Sequence, residues 1–229
     1  GLASDSYKLQ TTNFELPALA LLVSGGHTEL VLVKEWCSYE ILGSTRDDAV
    51  GEAFDKVARM LGLPYPGGPE ISKLALQATN YKLSQPLPRP MINSGDLNFS
   101  FSGIKTSVLY LIKQLGTLTE DQKIAIAQEF QNAAIEVLLK KSADVLSKQD
   151  IKTFIIGGGV SANKQLRVEA RKMIDEKFPE TKLSIPSPHL STDNATMIGV
   201  AGYLRYLKFG PSEADSFVAE GNLKLSGES

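Results

Sequence analysis

The chain has 229 residues, 42% of them apolar, enough to bury a sizeable core as one large domain or two closely associated lobes. Its 24 Lys+Arg against 26 Asp+Glu leave a formal charge of −2 with no basic block, so charge does not announce a nucleic-acid partner. A single cysteine, Cys37, excludes an internal disulfide framework and fits a reducing compartment, and apolar runs such as LPALALLV are too short to cross a bilayer.

Residues 1–16 are polar and read as a lead-in with no element of its own; they lack the cationic start and apolar stretch of a secretion signal. ALALLVSGGHTELVLVK then reads as strand, Gly-Gly turn, strand, Gly-Gly being a favoured two-residue hairpin signal. EILGSTRDDAVGEAFDKVARMLGL predicts a short strand and a helix, with Val50, Phe54, Val57 and Leu61 at helical spacing and Gly62 as its stop. PYPGGPEISKLALQA is a proline-glycine loop feeding a second helix, and residues 80–98 are mostly loop. NFSFSGIKTSVLYLIKQL turns from extended chain into a helix. The run after Thr119 is the strongest helix in the chain, opened by a Thr119/Gln122 capping box. The last third has α/β rhythm: a buried strand in IKTFIIGGG, an amphipathic helix after it, a second strand in KLSIPSP, and a final helix opened by Asp193-Asn194.

Five stretches can carry chemistry. Ser24-Gly25-Gly26-His27-Thr28 is a plain turn, or a loop bare enough for an anion to reach backbone N–H groups, with hydroxyls adding donors. Gly157-Gly158-Gly159-Val160-Ser161-Ala162-Asn163 is more specific, because three glycines between a strand and a helix suit close approach of a ligand. Asn163 caps the helix, contacts a ribose or base, or does both. Gly157-x-Gly159-x-x-Ala162 also fits a dinucleotide fingerprint, but the next strand ends in Pro186-Ser187-Pro188 rather than in the acid that fingerprint wants. Asp47 or Asp48 is most simply the cap or a dipole partner of the following helix, Glu52 a surface partner of Lys56, and Asp55 a surface carboxylate. PYPGGP is a rigid turn or a wall against a nucleotide sugar. Asp193 is a helix-opening residue, or one metal ligand where a site needs two or three. With two histidines and no His-x-x-x-His, the chain builds no zinc-protease site by itself.

In order, LLVSGGHTEL, DDAVGEAFDKVARMLGLPYPGGP, NFSFSGIKTSV, IGGGVSANKQLR and STDNATMIGVAG resemble the signature series of the TsaD family, over residues 17–206. These are the tRNA adenosine threonylcarbamoyltransferases, formerly labelled O-sialoglycoprotein endopeptidases. The resemblance implies an α/β fold of the actin, sugar-kinase and heat-shock ATPase (ASKHA) type, with a nucleotide cleft between two lobes. It implies a cytoplasmic enzyme in which threonylcarbamoyl-AMP is attacked by N6 of adenosine 37 in ANN-decoding tRNAs, with AMP leaving. The family's nucleotide and substrate contacts fall on Ser24, Gly25, Gly26, His27, Asp55, Gly68, Gly158, Gly159 and Asn163, and its metal-ligating aspartate on Asp193. The metal is one divalent ion: iron, zinc or magnesium. Ser72 stands where the family often has an aspartate, which weakens a ribose contact there. Partners implied are tRNA and, in bacteria, a TsaB-like paralogue and a TsaE-like ATPase.

Relatives carry a preceding lobe with a first phosphate loop and a His-x-x-x-His pair, so the resemblance makes this chain the C-terminal two-thirds with the first lobe missing. Residues 17–195 are then the second lobe with the nucleotide-binding loops. Residues 196–215 are a helix that packs on the absent lobe, and 216–229 a frayed tail. An exposed apolar stripe at Met197, Val200, Leu204 and Leu207 is the corollary. The alternatives are a non-catalytic nucleotide-binding partner and a kinase or ATPase relative on the same fold.

Overall fold

The computed structural model describes residues 14–211; the expected lead-in 1–16 enters it only at Phe14, and the expected tail 216–229 lies outside it. Five strands form one sheet in the order β3-β2-β1-β4-β5: β1 (Ala18–Val23), β2 (Thr28–Glu35), β3 (Ser38–Ser44), β4 (Thr153–Gly157) and β5 (Lys182–Ser184). β1, β2 and β3 are antiparallel neighbours, whereas β4 returns after more than a hundred residues to lie parallel to β1, with Leu22 opposite Gly157. A parallel neighbour needs such a crossover, and helices supply it: α1 (Val50–Met60), α2 (Gly67–Ala75), α3 (Ser102–Leu115) and α4 (Glu120–Leu146) lie between β3 and β4. α5 (Lys164–Lys177) joins β4 to β5, and α6 (Ala195–Phe209) follows.

Strand alternation sets the layers. Leu19, Leu21 and Val23 of β1 and Leu30 and Leu32 of β2 face the helices and join the main core. Ala18, Ala20, Val31 and Val33 point the other way, into a smaller cluster with Phe14, Leu16, Ile41 and Ile155. Phe54 of α1 meets Phe130 of α4 edge to face, ring centroids 4.9 Å apart, so the two helices share one aromatic contact under the sheet. Val50, Phe54, Val57 and Leu61 are all buried, as their spacing predicts, and Gly62 at φ 75° follows the end of α1. The capping box at Thr119 is present in both directions.

Three local expectations are corrected. The β1–β2 hairpin does turn at Gly25-Gly26, with Ser24 N donating to His27 O across it, but neither glycine has positive φ, so the turn is not of the primed type that a Gly-Gly signal implies. Neither Asp47 nor Asp48 caps α1. Its N-cap is Ala49, and its first amides donate to Thr28 Oγ1 (Val50 N, 2.8 Å) and Ser24 O (Gly51 N, 3.1 Å). The glycine run does not lead straight into α5 either, because a 3-10 turn at Gly159–Ala162 intervenes and Asn163 caps the helix.

α6 carries no buried residue. Met197, Val200 and Leu207 are exposed, with Ile198, Tyr203 and Phe209 beside them, while Leu204 is half-buried. The stripe expected from helical spacing is open to solvent at three of its four positions. Lys208 ties the helix back, through Glu35 and the Trp36 carbonyl.

Candidate functional site

Because β4 lies parallel beside β1, the loops after both strands emerge at the same sheet edge. In open α/β sheets this is where ligands bind: at the carboxyl ends of parallel strands, where connections diverge. Here β1 turns back into an antiparallel hairpin and β4 continues into a helix, so loops 24–27 and 158–162 sit side by side.

The glycines in these loops divide into two kinds. Gly158 has φ 89°, and a Cβ there would come 2.4 Å from Val23 O, so the seam between the loops closes only with glycine. Gly51 is equally forced, by Ser24 O at 2.5 Å, where the start of α1 is pressed onto the first loop. Gly67 is forced by Ala58 Cβ at 2.5 Å. By contrast, Gly25, Gly26, Gly68 and Gly159 have no positive φ, and an added Cβ would meet nothing within 4 Å. Nothing among the described residues asks for glycine at those four positions. They leave backbone exposed toward open space.

The remaining side chains form a connected shell. Ser24 Oγ accepts from Gly26 N (3.2 Å) and His27 N (3.0 Å), folding the loop onto its own hydroxyl. An anion at these two amides would displace that hydroxyl, a neutral and weaker acceptor, by one side-chain rotation. The His27 side chain is exposed and has no polar partner among the described residues. Thr28, fully buried, spends its hydroxyl as an acceptor for the first amide of α1. Asp55 is half-buried, and its Oδ1 accepts from Gly67 N at 2.7 Å, pinning the PYPGGP turn to α1. Ser72 Oγ donates to Gly68 O (3.0 Å) and accepts from Asn163 Nδ2 (2.9 Å). Asn163 also donates to Gln131 Oε1 (2.9 Å), while its own Oδ1 accepts from Leu166 N. Asn163 therefore has all its amide groups engaged: it is the α5 cap and the joint between α2, α4 and α5.

Gln131 was not singled out from the sequence. It stands four residues after Ala127 and four before Ile135, on the stripe that buries α4, and only 6% of it is exposed. A polar residue at such a position is the signal that would have found it. Arg167 is a second: its Nε donates to Ser161 O and its Nη2 to Pro186 O, both at 2.6 Å, tying the turn after β4 to the segment that leads to Asp193. Ser161 is fully buried, and its Oγ has no hydrogen-bond partner among the described residues.

The acidic pair before α1 works at longer range. Asp47 accepts from Phe101 N (2.8 Å) and Ser102 N (3.2 Å) and from both Ser100 and Ser102 hydroxyls, so it caps α3 rather than α1. Burial pushes its carboxyl up, but those four hydrogen bonds outweigh it and hold it below the ordinary range. Asp48 bridges Lys56 and Lys105, each at 2.8 Å, and again the bonds outweigh burial and keep its carboxyl low. Glu52 pairs with Lys56 at 2.7 Å, the i,i+4 contact its spacing predicts.

Asp193 is exposed, and no partner holds it among the described residues. No group of three or more His, Cys, Asp or Glu side chains placed to hold a metal occurs among those residues. They supply a single carboxylate, not a metal site. A groove of about 940 Å³ runs between α4 and α5 over Ile135, Leu139 and Met173, but none of the sequence-selected residues lines it. No described helix is long and apolar enough to cross a membrane.

A family model described as TsaD, tRNA N6-adenosine threonylcarbamoyltransferase, matches residues 3–200. Curated proteins of that name from Thermosipho africanus and Chromobacterium violaceum are 47% and 49% identical over 209 and 204 residues. The alignments cover 91% and 85% of this chain but 62% and 57% of those relatives, so the chain spans little more than half their length. Among solved structures, full-length HypF in its phosphate- and nucleotide-bound form matches 88% of this chain and 35% of its own, with a TM-score of 0.61 at 12% identity, a likeness of fold alone.

Proposed function

Because this chain belongs to the TsaD family of tRNA N6-adenosine threonylcarbamoyltransferases, we propose that it forms the nucleotide-holding part of such an enzyme. The reaction is transfer of the threonylcarbamoyl group from threonylcarbamoyl-AMP to N6 of adenosine 37 in ANN-decoding tRNAs. The observation that carries this reading is the pair of adjoining loops whose Gly25, Gly26 and Gly159 no local constraint requires, at the carboxyl ends of two parallel strands.

In the proposed complex the adenylate phosphate lies against the amides of residues 25–27 and 159, which exchange the Ser24 hydroxyl for phosphate oxygens. His27 stands at the rim. Asp55, Gly68 and Asn163 shape the sugar side; with Ser72 already engaged by Gly68 and Asn163, its hydroxyl adds little there. The N6 amine forms the new C–N bond, the C–O bond to the phosphate breaks, and AMP departs with the electron pair while the amine loses its proton. Fixed amides aimed at the departing phosphate stabilise the charge that develops there. Asp47 and Asp48 are held below the ordinary carboxylate range by hydrogen bonds, the opposite of what a general base at neutral pH needs. Positioning of the amine is the main contribution.

Asp193 would give one carboxylate to a divalent metal, with further ligands from chain that the longer relatives possess, and the ion would supply Lewis-acid stabilisation of the phosphate charge. Residues 17–195 act as one lobe. The exposed face of α6 packs on chain that the longer relatives possess beyond this span. The partners are tRNA, a TsaB-like paralogue and a TsaE-like ATPase, in the cytoplasm.

The test is mass-spectrometric analysis of tRNA nucleosides after incubating full-length protein and its partners with threonylcarbamoyl-AMP. The threonylcarbamoylated adenosine should form and should fall sharply with Gly26→Val. Unaltered protein that binds tRNA and the adenylate yet makes no modified nucleoside would refute the reading.

A further inference from the structure

The shell around Gly68 leaves one donor unspent. Asp55 takes the Gly67 amide, Ser72 gives its proton to Gly68 O, and Asn163 gives both amide protons, one to Ser72 and one to Gln131. Gln131 receives through Oε1, and its Nε2 donates to nothing in the described chain. That nitrogen is not sealed off. The only completely buried side-chain polar atom without a partner among the described residues is Ser161 Oγ. A residue 94% buried, with its amide plane fixed at one end by Asn163 and its donor end free, is arranged to meet something from outside the chain.

The charge of the shell narrows what that is. Among the described residues no lysine or arginine side chain bonds Asp55, Ser72, Gln131 or Asn163, and the single charge among these four is the Asp55 carboxylate. A phosphate there would face a like charge with only neutral donors. A sugar hydroxyl is neutral, accepts from an amide and donates to a carboxylate, so it suits both ends of the shell.

We propose that Gln131 is a ligand-contacting residue, whose Nε2 donates to a sugar hydroxyl of the bound ribonucleotide and so selects for that hydroxyl. The proposal rests on the nucleotide reading of the site and deepens it. Ser72, engaged on both sides, does not take this role; the donor comes from α4 instead.

The experiment measures AMP, 2′-deoxy-AMP and 3′-deoxy-AMP affinity of the full-length protein and its Gln131→Met variant by calorimetry. It is read alongside the side-chain amide signals of ¹⁵N-labelled glutamine. Loss of one hydrogen bond should weaken AMP binding by about ten-fold in the variant and leave unchanged the affinity for whichever deoxy analogue lacks the contacted hydroxyl. The Gln131 amide signal should move with AMP and not with that analogue. An equal loss for all three ligands, which marks a merely structural role, would overturn the proposal, as would no loss at all. If the variant does not fold, the amide signal in unaltered protein decides: a signal unmoved by AMP overturns it. Unaltered protein that binds no AMP overturns the site reading together with Gln131, whereas AMP binding with Gln131 silent overturns the residue alone.

Discussion

Gly158 and Gly26 look alike in the sequence, and the structure predicts opposite consequences for replacing them. Alanine at 158 would hold an L side chain at φ 89°, and its Cβ would lie 2.4 Å from Val23 O and 2.8 Å from Val23 C. With ψ at 168° this backbone lies in a region essentially reserved for glycine, and holding an alanine there costs about 1–3 kcal/mol. The clash is with backbone in a central strand, which cannot swing away, and overpacking of that kind costs about 1–3 kcal/mol. Gly158→Ala should therefore lose about 2–6 kcal/mol of stability. Alanine at 26 meets nothing within 4 Å and needs no unusual φ, so its effect on folding should be neutral or a gain of up to about 1 kcal/mol through the unfolded chain. Its methyl would instead stand where the phosphate approaches. Urea unfolding of both variants, with AMP titrations on Gly26→Ala, separates the effects. A Gly158→Ala protein as stable as the parent would refute the packing argument. A Gly26→Ala protein that binds AMP normally would refute the claim that this loop is bare for a ligand.

Three further outcomes are expected. Hydrogen bonds from Ser94 and Asn98, with the Arg46 charge nearby, hold the Asp96 carboxyl down at about 2. Its folded value lies below the unfolded one, so the unfolded chain binds the extra proton first, and the stability it contributes is present above about pH 4 and lost as pH falls toward 2. Urea midpoints for Asp96→Asn should flatten across that window relative to the parent; an equally steep slope would contradict the assignment. Asp47→Ala should destabilise by about 1–3 kcal/mol, because it strips the amides of Phe101 and Ser102 at the start of α3, and hydrogen exchange there should rise more than in α1. Arg167→Met should speed exchange in residues 186–191 while leaving α4 protected; uniform loosening would mean that the guanidinium does not tie that segment to the turn after β4.

What the sequence made legible was local. The Thr119/Gln122 box, the Val50–Phe54–Val57–Leu61 face and the Asn194 cap each depend on residues three or four apart, and each is present in the structure. What it hid depends on contacts across the chain. Asp47 looked like the cap of the helix beside it, but α1 draws its cap from Thr28, and Asp47 reaches α3 over more than fifty residues. Gly158 and Gly159 are neighbours in one run, yet only the first is forced, and that emerges once β4 is laid beside β1. Gln131 carried no motif; its meaning comes from burial and from the Asn163 amide on another helix. Asp193 was legible as a candidate, but the described residues set no second ligand beside it.

The most direct test of the central claim is a crystal structure of the full-length protein with AMP. The account predicts phosphate oxygens within hydrogen-bond distance of the amides at 25–27 and 159, the Ser24 hydroxyl turned away from Gly26 and His27, and the ribose against Asp55 and Gln131. AMP bound elsewhere, with loops 24–27 and 158–162 empty and the Ser24 contacts intact, would contradict it.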